Sequence, residues 1–170
     1  MTRPLSPVMT DFQSRLEKAI ERGQRASDAR ARAEAQRALD EQELRRLHTQ
    51  YRLELAEHID QCLQQIPQHL PGFEFEPIVA ERGWGAAVSR DDIELAPHRR
   101  PTTRFSRLEV FIRPLSEAYV LEVVAKATVR NRECFTRTHF QRLQEADLTS
   151  FTELIDLWVL EFAELYAAKS

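Results

Sequence analysis

Residues 105–130 read FSRLEVFIRPLSEAYVLEVVAKATVR, and their alternation decides the fold. In FSRLEVFIR (105–113), Leu108, Val110 and Ile112 fall on one side, and Arg107, Glu109, Phe111 and Arg113 on the other. In EAYVLEVVAKATVR (117–130), Tyr119, Leu121, Val123, Ala125 and Ala127 share a side. Side chains alternate between the faces of a strand, so this period predicts neighbouring strands with one apolar face. Arg130-Asn131-Arg132 suits a turn, because Asn tolerates a left-handed backbone. ECFTRTHF (133–140) then returns as a strand, with Phe135, Arg137 and His139 expected beside Val124, Lys126 and Thr128 on the polar face.

Upstream, FEFEPIVA (73–80) alternates at first, and Pro77, which cannot donate to a ladder, confines it to an edge or a bulge. ERGWGAAVSRDDIEL (81–95) reads as a hairpin-like segment with glycines around Trp84, and PHRRPTTR (97–104) as a loop. The segment from 73 to 140 is therefore expected to be an antiparallel meander of four to five strands.

Helices flank it. Ser150-Phe151-Thr152-Glu153 fits a capping box, and Phe151, Leu154, Ile155, Trp158, Phe162, Leu165 and Tyr166 follow at 3–4 spacing. Leu157, Val159 and Leu160 widen the stripe, so this amphipathic helix packs on the sheet and needs cover on a further side. From Asp11 to Ile66 there is no proline and one glycine, Gly23, until Pro67 and Pro71-Gly72 end the helix. Its second half carries a stripe through Leu44, Leu47, Tyr51, Leu55, His58, Cys62 and Ile66. Its first half is alanine among charges, with Leu39 the only large apolar residue between Glu21 and Glu43. Continuous, such a helix would be about 84 Å long, more than a compact domain of this size spans. Phe12, Leu16, Ala19, Gly23 and Ala26 form a short seam that Arg30 and Arg37 interrupt. That pattern argues against a long parallel coiled coil and for a short, close helix–helix contact.

The expected organisation is α+β: a flexible tail over 1–10, a polar alanine-rich helical extension over 11–43 and an α+β domain over 44–170. With 42% hydrophobic and 30% charged residues, the 170-residue chain can fill a core, which excludes collagen-like and wholly disordered classes. No apolar run approaches the ~20 residues of a membrane span. The opening residues lack an apolar signal core, so a cytoplasmic protein is expected.

Catalytic motifs are absent: no Walker loop, dinucleotide fingerprint, nucleophile elbow or HExxH stands in the chain. His58 and Cys62 are spaced i, i+4 on one helical face, as two metal ligands would be, but no second pair at ligand spacing follows. Neither metal nor cofactor is expected, and Cys62 and Cys134 are read as inert thiols. The chain is expected to be a non-catalytic interaction module that self-associates through helices, as a dimer or with another protein. Leu44, Leu47, Tyr51, Leu55, Trp158, Phe162 and Tyr166 would carry core and interface, in a division the sequence leaves open.

The alternative rests on charge placement. Residues 99–142 hold ten Arg or Lys against four Glu, in a chain of net charge −3. Arg99, Arg100, Arg107, Arg113, Lys126 and Arg137 would then form an anion or nucleic-acid surface on the sheet face and loop 97–104. Arginines around aromatics resemble, in chemistry only, surfaces that stack bases and hold phosphates.

Overall fold

The computed structural model of the chain describes residues 7–168, and its elements run helix, five strands, helix. Helix α1 spans Pro7–His69. Of the stretch expected to be a tail, residues 1–6 lie outside the described residues, whereas 7–10 form the first turn of α1. Proline suits that position, since its fixed φ is helical and its missing N–H would have no partner there. Contacts divide the chain after Glu43, giving one unit up to Glu43 and a second from Leu44 onward. In the first unit every side chain from Val8 to Glu43 is exposed.

The second unit begins with the rest of α1. Pro67 does not end the helix; it lies in its last turn. One backbone hydrogen bond is lost there, but Leu63 and Ile66 just before it are buried, and Leu70 N–H still donates to Ile66 O at 2.7 Å. Gly72, with φ of 103°, then reverses the chain into the sheet.

The strands are β1 (Glu74–Ala80), β2 (Gly83–Glu94), β3 (Thr102–Ile112), β4 (Val120–Val129) and β5 (Arg132–Arg142). They pair antiparallel in chain order, so the sheet is a meander with β1 at its edge, where Pro77 is tolerated. The stretch 81–95 is not hairpin-like. It enters from a tight turn at Glu81-Arg82 and continues as the single strand β2. Its glycines serve close approach: a Cβ on Gly85 would lie 2.0 Å from Val110 O. Tyr119 lies just outside β4 with φ of 51° and does not continue the apolar row.

Arg130 and Asn131 have φ of 47° and 65°, the two positive values a two-residue hairpin needs. The turn is stitched to β3, since Asn131 Oδ1 accepts Phe105 N–H at 2.8 Å and its Nδ2 donates to Thr103 O at 3.1 Å. Beyond the turn the ladder slips: Thr128 pairs with Glu133, but Ala127 pairs with Phe135, leaving Cys134 as an inserted residue. A slip of one residue exchanges the two faces of a strand. Phe135, Arg137 and His139 therefore share the face of Ala127, Ala125 and Val123, not that of Lys126 as the alternation suggested.

A single 3₁₀ turn (Leu143–Glu145) leads to helix α2 (Leu148–Ala167). Asp147, not Ser150, caps α2: its Oδ1 accepts Thr149 N–H at 3.1 Å and its Oδ2 accepts the Ser150 hydroxyl at 2.8 Å. An extended aspartate thus satisfies one orphan amide three residues before the expected box.

The core lies between one sheet face and the two helices. Leu108, Val110, Ile112, Leu121, Val123 and Ala125 of the sheet meet Leu55, Ile59 and Leu63 of α1 and Phe151, Ile155 and Phe162 of α2. Each of the larger of these side chains contributes about 1.5–3 kcal/mol when fully buried. Among the described residues no helix is long and apolar enough to cross a membrane.

Candidate functional site

The residues expected to carry core and interface all lie in or on this one core. Leu55, Trp158, Phe162 and Tyr166 are buried in it, and Leu44, Leu47 and Tyr51 are half-buried against it. Apolar surface remains elsewhere, at Val8, Met9, Phe12, Leu16 and Ile20 in the first unit.

The basic residues are not brought together. Arg107 donates to Glu76 at 2.6 Å and to Glu109 at 2.7 Å, while Arg82 grips the same Glu109 at 2.8 and 3.2 Å. Arg113 faces Glu122 at 3.3 Å. Arg137 is on the opposite face, bound to Glu161 of α2. Arg99 and Arg100 lie exposed before β3, and Lys126 is exposed on β4. Under the carboxylate–guanidinium lattice, Ile78, Ala87, Phe111 and Val124 form a small second buried cluster, with Arg82 5.2 Å from the Phe111 ring centroid. Burial pushes the Glu109 carboxyl up, but donation from Arg82 and Arg107 and their charges outweigh it and hold it below its ordinary value.

A cavity of about 410 Å³ lies between α1 and the β3–β4 connection, lined by Arg45, His48, Arg52, Trp84, Ser116 and Tyr119 among others. Arg52 stacks on the Trp84 ring at 4.0 Å. Two buried side-chain atoms in this wall, His48 Nε2 and Arg52 Nε, have no hydrogen-bond partner among the described residues. Desolvation lowers the His48 pKa, with the nearby Arg52 charge acting in the same direction and a bond to the Arg113 backbone opposing both.

A second constellation joins the two helices. His58 and Cys62 project from one face of α1, and Asp156 reaches them from α2. His58 Nε2 lies 2.7 Å from Asp156 Oδ1, Cys62 Sγ donates to the same oxygen at 3.3 Å, and Sγ stands 3.5 Å from Nε2. The third group was illegible in sequence because it lies 94 residues beyond Cys62 and is an ordinary exposed-face aspartate of an amphipathic helix. Burial, followed by the bond and charge of Asp156, pushes the Cys62 thiol up to about 12. This is not a nucleophile relay. In such a relay the thiol and the carboxylate engage opposite nitrogens of the imidazole, whereas here both approach Nε2. Beside it runs a groove of about 510 Å³ between the end of α1 and α2, whose wall includes Cys62, Ile66, Asp156, Val159 and Leu160.

Comparisons with protein families, curated proteins and solved structures yield no significant match.

Proposed function

We propose that the protein is a non-catalytic assembly module that self-associates through the N-terminal part of α1. The observation that carries this reading is Gly23. A glycine inside a helix costs about 1 kcal/mol relative to alanine, yet a Cβ built there meets nothing within 4 Å. Nothing among the described residues uses the missing side chain; a second helix crossing closely would. Gly23 lies in the short seam of Phe12, Leu16, Ala19 and Ala26, and Phe12, Leu16 and Ile20 are 58%, 46% and 52% exposed. Burying such side chains against a second copy offsets part of the ordering cost of association. Two free thiols are in keeping with a reducing, cytoplasmic setting. Light scattering on the full chain at micromolar concentration tests the proposal. The expected mass is that of two chains, reduced to one by Phe12→Glu with Leu16→Glu while the melting temperature of the sheet domain is retained. A one-chain mass for the unaltered protein overturns it.

A second reading is binding of an anion, favoured by one observation. The buried atoms His48 Nε2 and Arg52 Nε, both without partners among the described residues, belong to residues that line the same cavity. A phosphate-class ligand would accept from Arg52 there, and its negative charge would oppose the desolvation that lowers the His48 pKa, whereas Arg107 and Arg113 of the sheet face already hold carboxylates. Titration with inorganic phosphate, followed by tryptophan fluorescence of Trp84, is expected to saturate at low salt and to be lost in Arg52→Gln. An unchanged signal removes this reading.

A further inference from the structure

We propose that His58, Cys62 and Asp156 form a binding site for a divalent, thiophilic transition-metal ion of the zinc class, with one coordination position left to a non-protein or partner ligand. The site stands apart from the self-association reading and does not depend on it.

The donor set is the first argument. One imidazole nitrogen, one thiol sulfur and one carboxylate oxygen, all within 4.8 Å of one another, match a borderline-soft cation and suit neither magnesium nor calcium, which prefer oxygen alone.

Spacing is the second. Metal–ligand distances of 2.0–2.3 Å in a tetrahedral shell separate neighbouring donors by about 3.3–3.6 Å. The Sγ···Nε2 distance of 3.5 Å and the Sγ···Oδ1 distance of 3.3 Å already meet that requirement. Only the Nε2···Oδ1 pair, at 2.7 Å, is too close, since it is held by a hydrogen bond that a cation would replace. Opening it by about 0.6 Å completes the shell. Asp156 has the freedom for this, being half-exposed at its side chain.

Convergence is the third argument. A purely structural clasp between helices would spread its bonds over several atoms. Here the thiol and the imidazole aim at one carboxylate oxygen and at each other, with their lone-pair atoms around a common point. Cys62 and Asp156 also line the groove along α2, so solvent or a partner's donor can reach the remaining position.

Binding balances simply. The thiol proton leaves to solvent as the metal–sulfur bond forms, and the His58 ring binds through Nε2 with its proton on Nδ1. No electron changes hands.

The test is cobalt(II) substitution on the full chain after chelator treatment and dialysis. One equivalent of cobalt(II) is expected to raise a thiolate-to-metal charge-transfer band together with the visible bands of a tetrahedral ion, both abolished by one equivalent of zinc(II). Cys134→Ser is expected to leave the spectrum unchanged. Cys62→Ser, which keeps the side-chain volume, is expected to lose the charge-transfer band. Asp156→Asn is expected to weaken zinc affinity by more than the about tenfold typical of losing an outer-shell partner. Zinc is also expected to raise the melting temperature of the unaltered chain but not of Cys62→Ser, a reading that requires only that each variant melt. A spectrum without charge transfer at one equivalent, or a band that survives Cys62→Ser, overturns the proposal. Neither result bears on the mass measured by light scattering.

Discussion

Arg137 of β5 and Glu161 of α2 are joined by a two-pronged ion pair, with Nη2 donating to Oε1 at 2.8 Å while the guanidinium lies 4.5 Å from the Phe135 ring centroid. The pair exists only because Cys134 is inserted into β5 and turns Arg137 toward the helix. Forked geometry and stacking make it stronger than an ordinary surface pair, although both side chains are more than a third exposed. Arg137→Ala is expected to cost about 1–2 kcal/mol in urea unfolding. Arg137→Glu combined with Glu161→Arg should recover part of the loss of either single change, a coupling of about 1 kcal/mol that 1 M salt reduces.

That same inserted residue marks the limit of what the sequence discloses. The meander, the apolar rows of β3 and β4, the Arg130-Asn131 turn and the edge position of β1 follow from alternation and turn chemistry, which are local. The face of β5 depends on a bulge, and nothing in ECFTRTHF distinguishes a bulged pairing from a regular one. The start of α2 was misplaced because Asp147 and Ser150 are both good caps, and only the extended backbone at Asp147 chooses between them. The His58–Cys62 pair was legible as i, i+4 spacing, while Asp156 arrives through packing of α2 on α1, which no pattern along the chain encodes.

Glu109 makes stability dependent on acid. Its folded carboxyl titrates below its ordinary value, so the native state binds fewer protons than the unfolded chain in the window between the two. The contribution is complete above the unfolded pKa of about 4.3 and disappears as pH falls through the lower, folded value. Urea unfolding is therefore expected to show stability declining below about pH 4.5, with a shallower decline in Glu109→Gln. At pH 7 that variant is expected to lose about 2 kcal/mol, because the bonds it weakens are charge-assisted and their carboxylate is only 13% exposed. An unaltered acid slope in Glu109→Gln would assign the dependence to other carboxylates.

The two cysteines should separate in reactivity, contrary to the expectation that both are inert. Cys134 is exposed at the bulge, whereas Cys62 is half-buried, bonded to Asp156 and raised to about 12. Thiolate is the reacting species. With a chelator present at neutral pH, a thiol reagent is expected to modify one site, identified by mass spectrometry as Cys134, and to modify both only after unfolding. Equal labelling of both in the native chain would show that α1 and α2 part readily at Asp156.

Gly85 and Gly23 are the same residue type under opposite constraints, and alanine at each should act in opposite directions. At Gly85 a Cβ would stand 2.0 Å from Val110 O and 2.6 Å from Phe111 Cα, both backbone atoms of the neighbouring strand. The ladder between β2 and β3 cannot yield without parting Ala86, Val88, Leu108 and Val110 from the core. Gly85→Ala is expected to destabilise the sheet domain by about 3 kcal/mol or more, at or beyond the upper end of overpacking. At Gly23 a Cβ meets nothing within 4 Å inside the chain, so Gly23→Ala should strengthen the helix of a single chain by about 1 kcal/mol, while placing a methyl where the proposed second helix would cross. Circular dichroism under partial denaturation would register this as helicity retained to higher temperature, with the cooperative melting of the sheet domain unmoved. A melting temperature that Gly85→Ala leaves within a degree of the original would mean that β2 and β3 are spaced more widely than the register from Trp84↔Ile112 to Val88↔Leu108 allows.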